Sequence, residues 1–589
     1  MASTLTRCIP ALLFLLLAAC SDDADNAGMG QETSRSERQA LGLEFLLSGS
    51  QMDSPVNTSA FRANTAGETR HRFGGRLEMF PESRSGKRKK QLDWFDYLED
   101  SSLSIADLPP FSFEFIQYEN DLIPVSRGPQ VSSHPHWEFI LEPGKVWDEP
   151  GDRGWTRASM PFSLQERNAN CTHNGLLTFA FKSTGEISRL AYQVGSETCQ
   201  YLQIDLWGVL DARYIPGKVR NAETVIQQHR EAVAARLPVK AIEAIAEDYP
   251  GADPGGFDWF PPAEVSAFGF AIDGVHYRGG CLTRYGPYPY CEVLDLPSYS
   301  LAKSIFAGTA LMVLEQNFPG VGELHVEQLV PECSGARWDG VTLDHLVDMT
   351  SGNFDSPEPN VDEFASYETD FMAGETHAVK INTACNLFPR KAEPGSAFVY
   401  HTSDTYIAGT AMNAFLARQH AAGKTTARDI HSDVLLKEVM KPLKLSAVTG
   451  HSRRTYDEIA QPFTGYGLTL HADDIVRLGL LLARGDGVIR GRQVLDPEEL
   501  AAALQRNSND PGIEAGSEEL RYNNGFWGFL TDLDGACNEA VWIPVMSGYG
   551  GISVAILPNQ SLFYVFSDHG RFEWLKAAIE SNRISKYCE

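Results

Sequence analysis

A strand-like run at 265–277 and three more near the C-terminus, at 540–546, 552–557 and 562–566, are separated by a long stretch of helical period. The first run breaks at Asp273-Gly274, a dipeptide of tight hairpin turns. Between the two ends, helices are expected near 343–349, 404–418, 430–440, 472–484 and 497–504, and a last one at 572–579. Strands at both ends and helices in the middle leave few arrangements. The expected fold class is α+β, with one antiparallel sheet built from both ends of the segment and flanked by helices.

Ahead of it the pattern differs. From about residue 41 to 217 the apolar runs are short and strand-like. His136-Trp137-Glu138-Phe139-Ile140-Leu141 partly alternates, and 175–181 and 187–194 are rich in β-formers between Gly, Ser and Asn turn signals. This reads as a β-rich domain of sandwich type. Residues 221–237 and 239–248 are helix-like and end at Tyr249-Pro250-Gly251. The loop through Pro254-Gly255-Gly256 marks the boundary. The expected organisation is a β-rich domain with C-terminal helices at 41–256 and a second domain at 257–589. His134-Pro135-His136 reads as a surface turn, and the first domain shows no catalytic motif.

The 589 residues carry a net charge of -27, which excludes a nucleic-acid partner of the kind that needs a basic patch. The basic run Lys87-Arg88-Lys89-Lys90 follows Ser83-Arg84-Ser85-Gly86 and reads as a solvated loop. At the N-terminus Arg7 precedes an apolar run from Ala11 to Ala19, too short to span a bilayer and suited to a secretory signal. Leu17-Ala18-Ala19-Cys20 resembles the cleavage box of bacterial lipoproteins. That resemblance implies a signal peptide at 1–19, lipid on Cys20 and a membrane anchor through it. Residues 20–40 then read as a flexible tether. Ser21 after the cysteine resembles lipoproteins sent to the outer membrane, so the implied place is the periplasmic side of the cell envelope. An ordinary secreted protein with a cysteine in its signal is the alternative. The sequence sets no oligomeric state.

Eight cysteines remain beyond Cys8 and Cys20, an even set that suits disulfides in an oxidising compartment. Joining sequential neighbours gives Cys171–Cys199, Cys281–Cys291, Cys333–Cys385 and Cys537–Cys588, although spacing alone leaves other connectivities open. No pair has the close spacing of a zinc site.

The chemistry centres on Ser300-Leu301-Ala302-Lys303, behind Pro297 and ahead of a helical apolar run. A serine three residues before a lysine on a helix shares its face. Burial favours the neutral amine, which can take a hydroxyl proton and make the serine a nucleophile. Alone the pattern arises by chance on the order of once in a chain this long, and equally describes a capping serine and an exposed lysine. Other stretches add to it: Met349-Thr350-Ser351-Gly352, Tyr400-His401-Thr402-Ser403-Asp404-Thr405, Gly465-Tyr466-Gly467-Leu468-Thr469 and Ser547-Gly548-Tyr549-Gly550-Gly551. In order and spacing they resemble the serine β-lactamase-like and penicillin-binding-protein superfamily: class C β-lactamases, DD-peptidases and related esterases and amidases. The resemblance spans roughly 265–566.

The resemblance implies a β-lactamase/transpeptidase-like fold and an envelope serine hydrolase that works through an acyl-serine. It implies no metal and no organic cofactor, and a small-molecule or peptide-like acyl substrate. Ser300 stands as the nucleophile, Lys303 as its proton acceptor, and Tyr400 as a partner in the proton work whose phenolate a nearby ammonium would stabilise. The N–H groups of Ser300 and Ile552 are expected to form the oxyanion hole. Thr402, Tyr549, Gly550 and Gly551 are expected to meet substrate. Taken singly, Tyr400 reads as a packing residue, Thr402 as a helix cap and Gly548–Gly551 as a turn. Where relatives carry Lys-Thr-Gly or His-x-Gly, this chain has Tyr549-Gly550-Gly551. A neutral phenol in place of a cation favours a neutral ester or amide over a β-lactam or a peptide carboxylate. The alternatives are a DD-peptidase or β-lactamase, or a catalytically silent protein of the same fold with the first domain as a binding module.

Overall fold

The computed structural model describes residues 40–64, 67–80, 85–91 and 105–588, with the backbone alone at 85–91. The signal peptide, Cys20 and nearly all of the tether lie outside the described residues.

The β-rich region is one ten-stranded antiparallel sheet, not a sandwich. Its strands are β1 (Gly74–Phe80), β2 (Ser85–Gln91), β3 (Phe111–Tyr118), β4 (Asp121–Pro124), β5 (Trp137–Leu141), β6 (Gly144–Trp147), β7 (Thr156–Glu166), β8 (Thr172–Phe181), β9 (Leu190–Thr198) and β10 (Leu202–Pro216). They follow the order β1-β3-β4-β6-β7-β8-β9-β10, and the far end of β10 pairs back onto β1, which closes a barrel. Short alternating strands predict a two-sided sheet equally well for either form; the fifteen-residue β10 decides it, because it reaches both edges. The barrel interior is aromatic. Phe73, Phe115, Phe139, Phe162, Phe179 and Phe181 are all buried, with Phe73 and Phe181 edge to face at 5.1 Å. The basic run expected in a loop forms β2, paired with the first half of β10.

A free-standing barrel would wet its outer face. Here β7, β8 and β9 are buried along their whole lengths. Their outward polar side chains meet the second half of the chain. Ser163 Oγ donates to Asp295 at 2.7 Å, Asn174 Nδ2 to the Asp295 carbonyl at 3.1 Å, and Gln165 Nε2 to Thr469 Oγ1 at 3.0 Å. Arg453 forms a buried ion pair with Glu138 and donates to Gln165 and the Glu166 carbonyl. The described chain is one compact unit.

The second sheet has nine strands: β11 (Val239–Ala241), β12 (Val265–Ile272), β13 (Val275–Gly280), β14 (Ile513–Ser517), β15 (Leu520–Asn523), β16 (Phe526–Thr531), β17 (Val541–Gly548), β18 (Ile552–Ile556) and β19 (Leu562–Ser567). Their order is β11-β13-β12-β19-β18-β17-β16-β15-β14, so strands from both ends of the segment meet at the β12–β19 pair. Asp273 and Gly274 both take positive φ, as the tight hairpin requires. Helix Ala472–Arg484 packs on the sheet, and helices Thr309–Asn317 and Thr402–Ala421 join the same core.

Two further expectations change. The segment 239–248 is not one helix: β11 pairs in parallel with β13, and a 3-10 turn and one α-turn follow. Pro238 and the β-branched Val239 favour extended backbone there, and edge pairing completes it. The last helix runs Leu575–Ile584, a few residues later than its period suggested. All four cysteine pairs are joined as sequential neighbours.

Candidate active site

Ser300 sits in a turn between the short strand Leu296–Pro297 and a helical stretch that begins at Leu301, and is half-buried. Residues Lys303–Gly308 take π-helical pairing before the α-helix continues. Such insertions recur at functional sites. The residue before the serine, Tyr299, has φ of 40°, a strained value for a side chain of its size. The barrel holds that strain in place. Asn170, in the β7–β8 turn and 1 % exposed, accepts from Tyr299 N–H at 2.8 Å, from Gly467 N–H at 3.0 Å and from Ser298 Oγ at 3.2 Å. Its Nδ2 donates to the Leu468 carbonyl at 3.3 Å. One amide thus ties the serine turn to the Gly465–Leu468 segment.

Lys303 is 1 % exposed and lies beneath the serine. Its Nζ is 3.0 Å from Ser300 Oγ, 2.7 Å from Thr402 Oγ1 and 3.3 Å from the Gly465 carbonyl. Burial lowers its pKa to about 8, against the pull of Glu363 and Glu368. Thr402 opens the Thr402–Ala421 helix and is held by Glu363, which accepts from its N–H at 2.7 Å and also from its hydroxyl. Thr402 therefore binds the lysine rather than facing outward toward a substrate.

The Tyr400 ring lies over Lys303, with Nζ 4.7 Å from its centroid, and stacks on Trp527 at 5.8 Å. Burial raises its pKa well above the usual phenol value, Glu363 adds to the rise, and the facing Ser300 hydroxyl offsets it a little. The expected phenolate is thus disfavoured: burial opposes its charge, and the Glu363 carboxylate repels a second negative charge. Tyr400 is a neutral phenol.

The late-strand residues divide. Gly548 ends β17 so close to the serine turn that a Cβ there would meet the Ser298 carbonyl at 2.9 Å and Tyr299 Cβ at 3.4 Å. Tyr549, Gly550 and Gly551 make the turn to β18. Gly551 has φ of 103°, and a Cβ there would meet Arg571 N at 2.4 Å, so it packs on neighbouring backbone. Ile552 does not fit the oxyanion role. Ser567 N–H bonds the Gly551 carbonyl, which makes Ile552 and Phe566 a non-hydrogen-bonded pair and turns the Ile552 N–H toward Gly548 in the ladder. Among the described residues, neither the Ser300 nor the Tyr549 N–H has an acceptor. Tyr549 stands in an aromatic group, with ring centroids 5.7 Å from Tyr299, 6.3 Å from Tyr201 of the barrel and 6.4 Å from the exposed Phe364. Its hydroxyl has no partner, and burial keeps it neutral.

Sequence reading missed Glu363 and Asn170. Neither belongs to a motif, and both reach the site from segments outside the helical core. It also missed the polar group behind Lys303. Burial opposes the charge of His401, yet Asp362 and Asp404 outweigh it and raise its pKa to about 10. Burial pushes the Glu368 carboxyl well above its usual range.

Glu142, Asp295 and His471 bring metal-type donors within 4.8 Å of one another. His471 Nε2 faces both carboxylates at 3.6 Å, and although burial opposes its charge, Glu142 and Asp295 outweigh it and raise its pKa to about 10. That is charge pairing, and the imidazole has no free lone pair for an ion.

No protein-family model matches this chain, and no curated protein matches it. Solved structures do. A penicillin-binding-protein homolog from Caulobacter crescentus is 17% identical over 60% of this chain and 97% of its own, with a TM-score of 0.39. EstCE1, a hydrolase with promiscuous acyltransferase activity, is 16% identical over 60% of this chain and 99% of its own, at 0.40. A family VIII carboxylesterase is 18% identical over 61% and 97%, at 0.39. At this distance the likeness assigns neither a substrate nor a residue's role.

Proposed function

We propose that this protein is a serine hydrolase that cleaves a neutral ester or amide through an acyl-serine at Ser300. The observation that carries this reading is the lysine's hydrogen bonding. Thr402 Oγ1 and the Gly465 carbonyl take two N–H bonds, and Ser300 Oγ lies on the third direction at 3.0 Å. A neutral Lys303 thus aims its lone pair at the serine hydroxyl. The serine proton passes to Lys303 as Oγ forms a bond to the substrate carbonyl carbon. The ammonium returns the proton, through the neutral Tyr400 phenol, to the departing alcohol or amine as the carbonyl–leaving-group bond breaks. Water then repeats the sequence on the acyl-enzyme and releases the acid. The N–H groups of Ser300 and Tyr549 stabilise the oxyanion. The uncharged Tyr549 and its aromatic neighbours suit an acyl group without a carboxylate, which supports an ester or amide over a β-lactam or peptide terminus.

The same reading places the protein on the periplasmic face of the cell envelope, anchored by lipid on Cys20, and four disulfides suit that oxidising side. Intact-mass and peptide mapping after fluorophosphonate treatment tests both parts. One adduct on Ser300, lost in Ser300→Ala, and a lipid increment on Cys20 are expected. An adduct that persists in Ser300→Ala overturns the hydrolase reading.

A further inference from the structure

We infer that Glu363, on the Asp362–Phe364 turn, is a positioning residue that fixes the direction of proton transfer from Ser300 to Lys303; this rests on the hydrolase reading above. A carboxylate can only accept. Glu363 takes both the N–H and the hydroxyl proton of Thr402. Thr402 has one hydroxyl proton, so its oxygen is left to accept from Lys303 at 2.7 Å. The Gly465 carbonyl, at 3.3 Å, can also only accept. Two of the three neighbours of Nζ are therefore forced acceptors, and the remaining one, the Ser300 hydroxyl, must be the donor once the amine is neutral. Without Glu363 the Thr402 hydroxyl is free to rotate and donate to Lys303, which would occupy the lone pair that the serine needs.

The turn that carries Glu363 is built into the site on either side. Asp362 accepts from the N–H groups of Asp355 at 2.6 Å and Ser356 at 2.8 Å and lies 3.3 Å from His401 Nε2. Phe364 faces Tyr549. Three consecutive residues thus touch the helix start, the lysine's partner and the aromatic wall. The titratable groups facing Lys303 are Glu363 and Glu368, with the Tyr400 phenol above it. Glu363 in turn faces Tyr400, Tyr466, Tyr522 and Glu368. The Glu363 charge supports the ammonium form of Lys303, so its removal moves the lysine's titration to lower pH.

The test is the pH dependence of kcat/KM for p-nitrophenyl butyrate in the full chain. Ser300→Ala comes first, and turnover that survives it sinks the hydrolase reading itself. With that variant inactive, Glu363→Ala is expected to lower kcat/KM at high pH by about 100-fold, the scale of a misplaced reacting group, and to move the acidic limb to lower pH. Thr402→Val is expected to lower the plateau alike without moving the limb, and Thr402→Ser to restore it. Glu363→Ala with Thr402→Val should lose little more than either alone, because both break one chain. A Glu363→Ala protein with the wild-type limb and plateau, or losses that multiply, overturns the inference while leaving the serine mechanism standing. A folded state by circular dichroism accompanies each variant, and Glu363→Gln, which keeps an acceptor without the charge, is expected to shift the limb while retaining more of the plateau.

Discussion

The barrel and the nine-stranded sheet bury themselves in opposite ways. The nine-stranded sheet is apolar where helices cover it, and its core is continuous with theirs. The barrel hides an aromatic core inside, yet presents polar side chains on an outer face that is buried just as deeply. Glu138, Ser163, Gln165, Asn170 and Asn174 are all below 3 % exposed and all bond residues beyond 290 or the turns around Ser300. The difference shows that a polar strand face is no sign of a wet surface. In this chain the polar face is the joint, and part of it holds the turn around Ser300.

The joint can be broken at its most costly point. Arg453→Met leaves the buried Glu138 carboxylate without its cation, and removing one partner of a buried pair costs about 3–5 kcal/mol. If the two sheets stand or fall together, thermal unfolding stays a single transition that moves down as a whole. Two separated transitions, one unmoved, would mean that the barrel is an independent module.

The disulfides sharpen the same contrast. Loops of 28 and 51 residues predict similar stabilisation, about 3–4 kcal/mol each in the chain-entropy picture. Replacing Cys171 and Cys199 by alanine frees the ends that carry Asn170 and Tyr201, so hydrolysis should fall together with the melting temperature. Replacing Cys537 and Cys588 should lower the melting temperature alike and leave the rate per folded molecule unchanged. Equal effects on rate from the two pairs would argue that the first has no link to the site.

Much of the second half was legible because its signals are local. Helical period placed the Ala472–Arg484 and Pro497–Ala503 helices, and Asp273-Gly274 placed a hairpin. The spacing of Ser300 and Lys303 put them on one helical face, and their atoms do meet. The closure of the barrel was not legible, because it depends on which strand reaches which edge. Asn170 and Glu363 were not legible because nothing near them in the chain says what they touch; each acts across more than 35 residues. Ile552 was misplaced by one turn, since motif spacing does not tell which backbone N–H a ladder has already used. The charge state of Tyr400 was misjudged because nothing in its motif shows the burial and the Glu363 carboxylate that together raise the phenol.

The most direct measurement is the second-order rate of fluorophosphonate inactivation from pH 6 to 10, for the native protein and for Asn170→Ala. Lys303 reacts as the free amine, so the rate should rise with pH and level off above about 8. Asn170→Ala should keep that limb and reach a plateau about 100-fold lower, because the base is intact and the serine turn is not, and Asn170→Asp, which keeps the acceptor oxygen, should recover most of the loss. A rate that does not change with pH, or an Asn170→Ala protein that reacts as fast as the native one, would contradict the claim that a buried amine and a barrel side chain together make Ser300 the nucleophile.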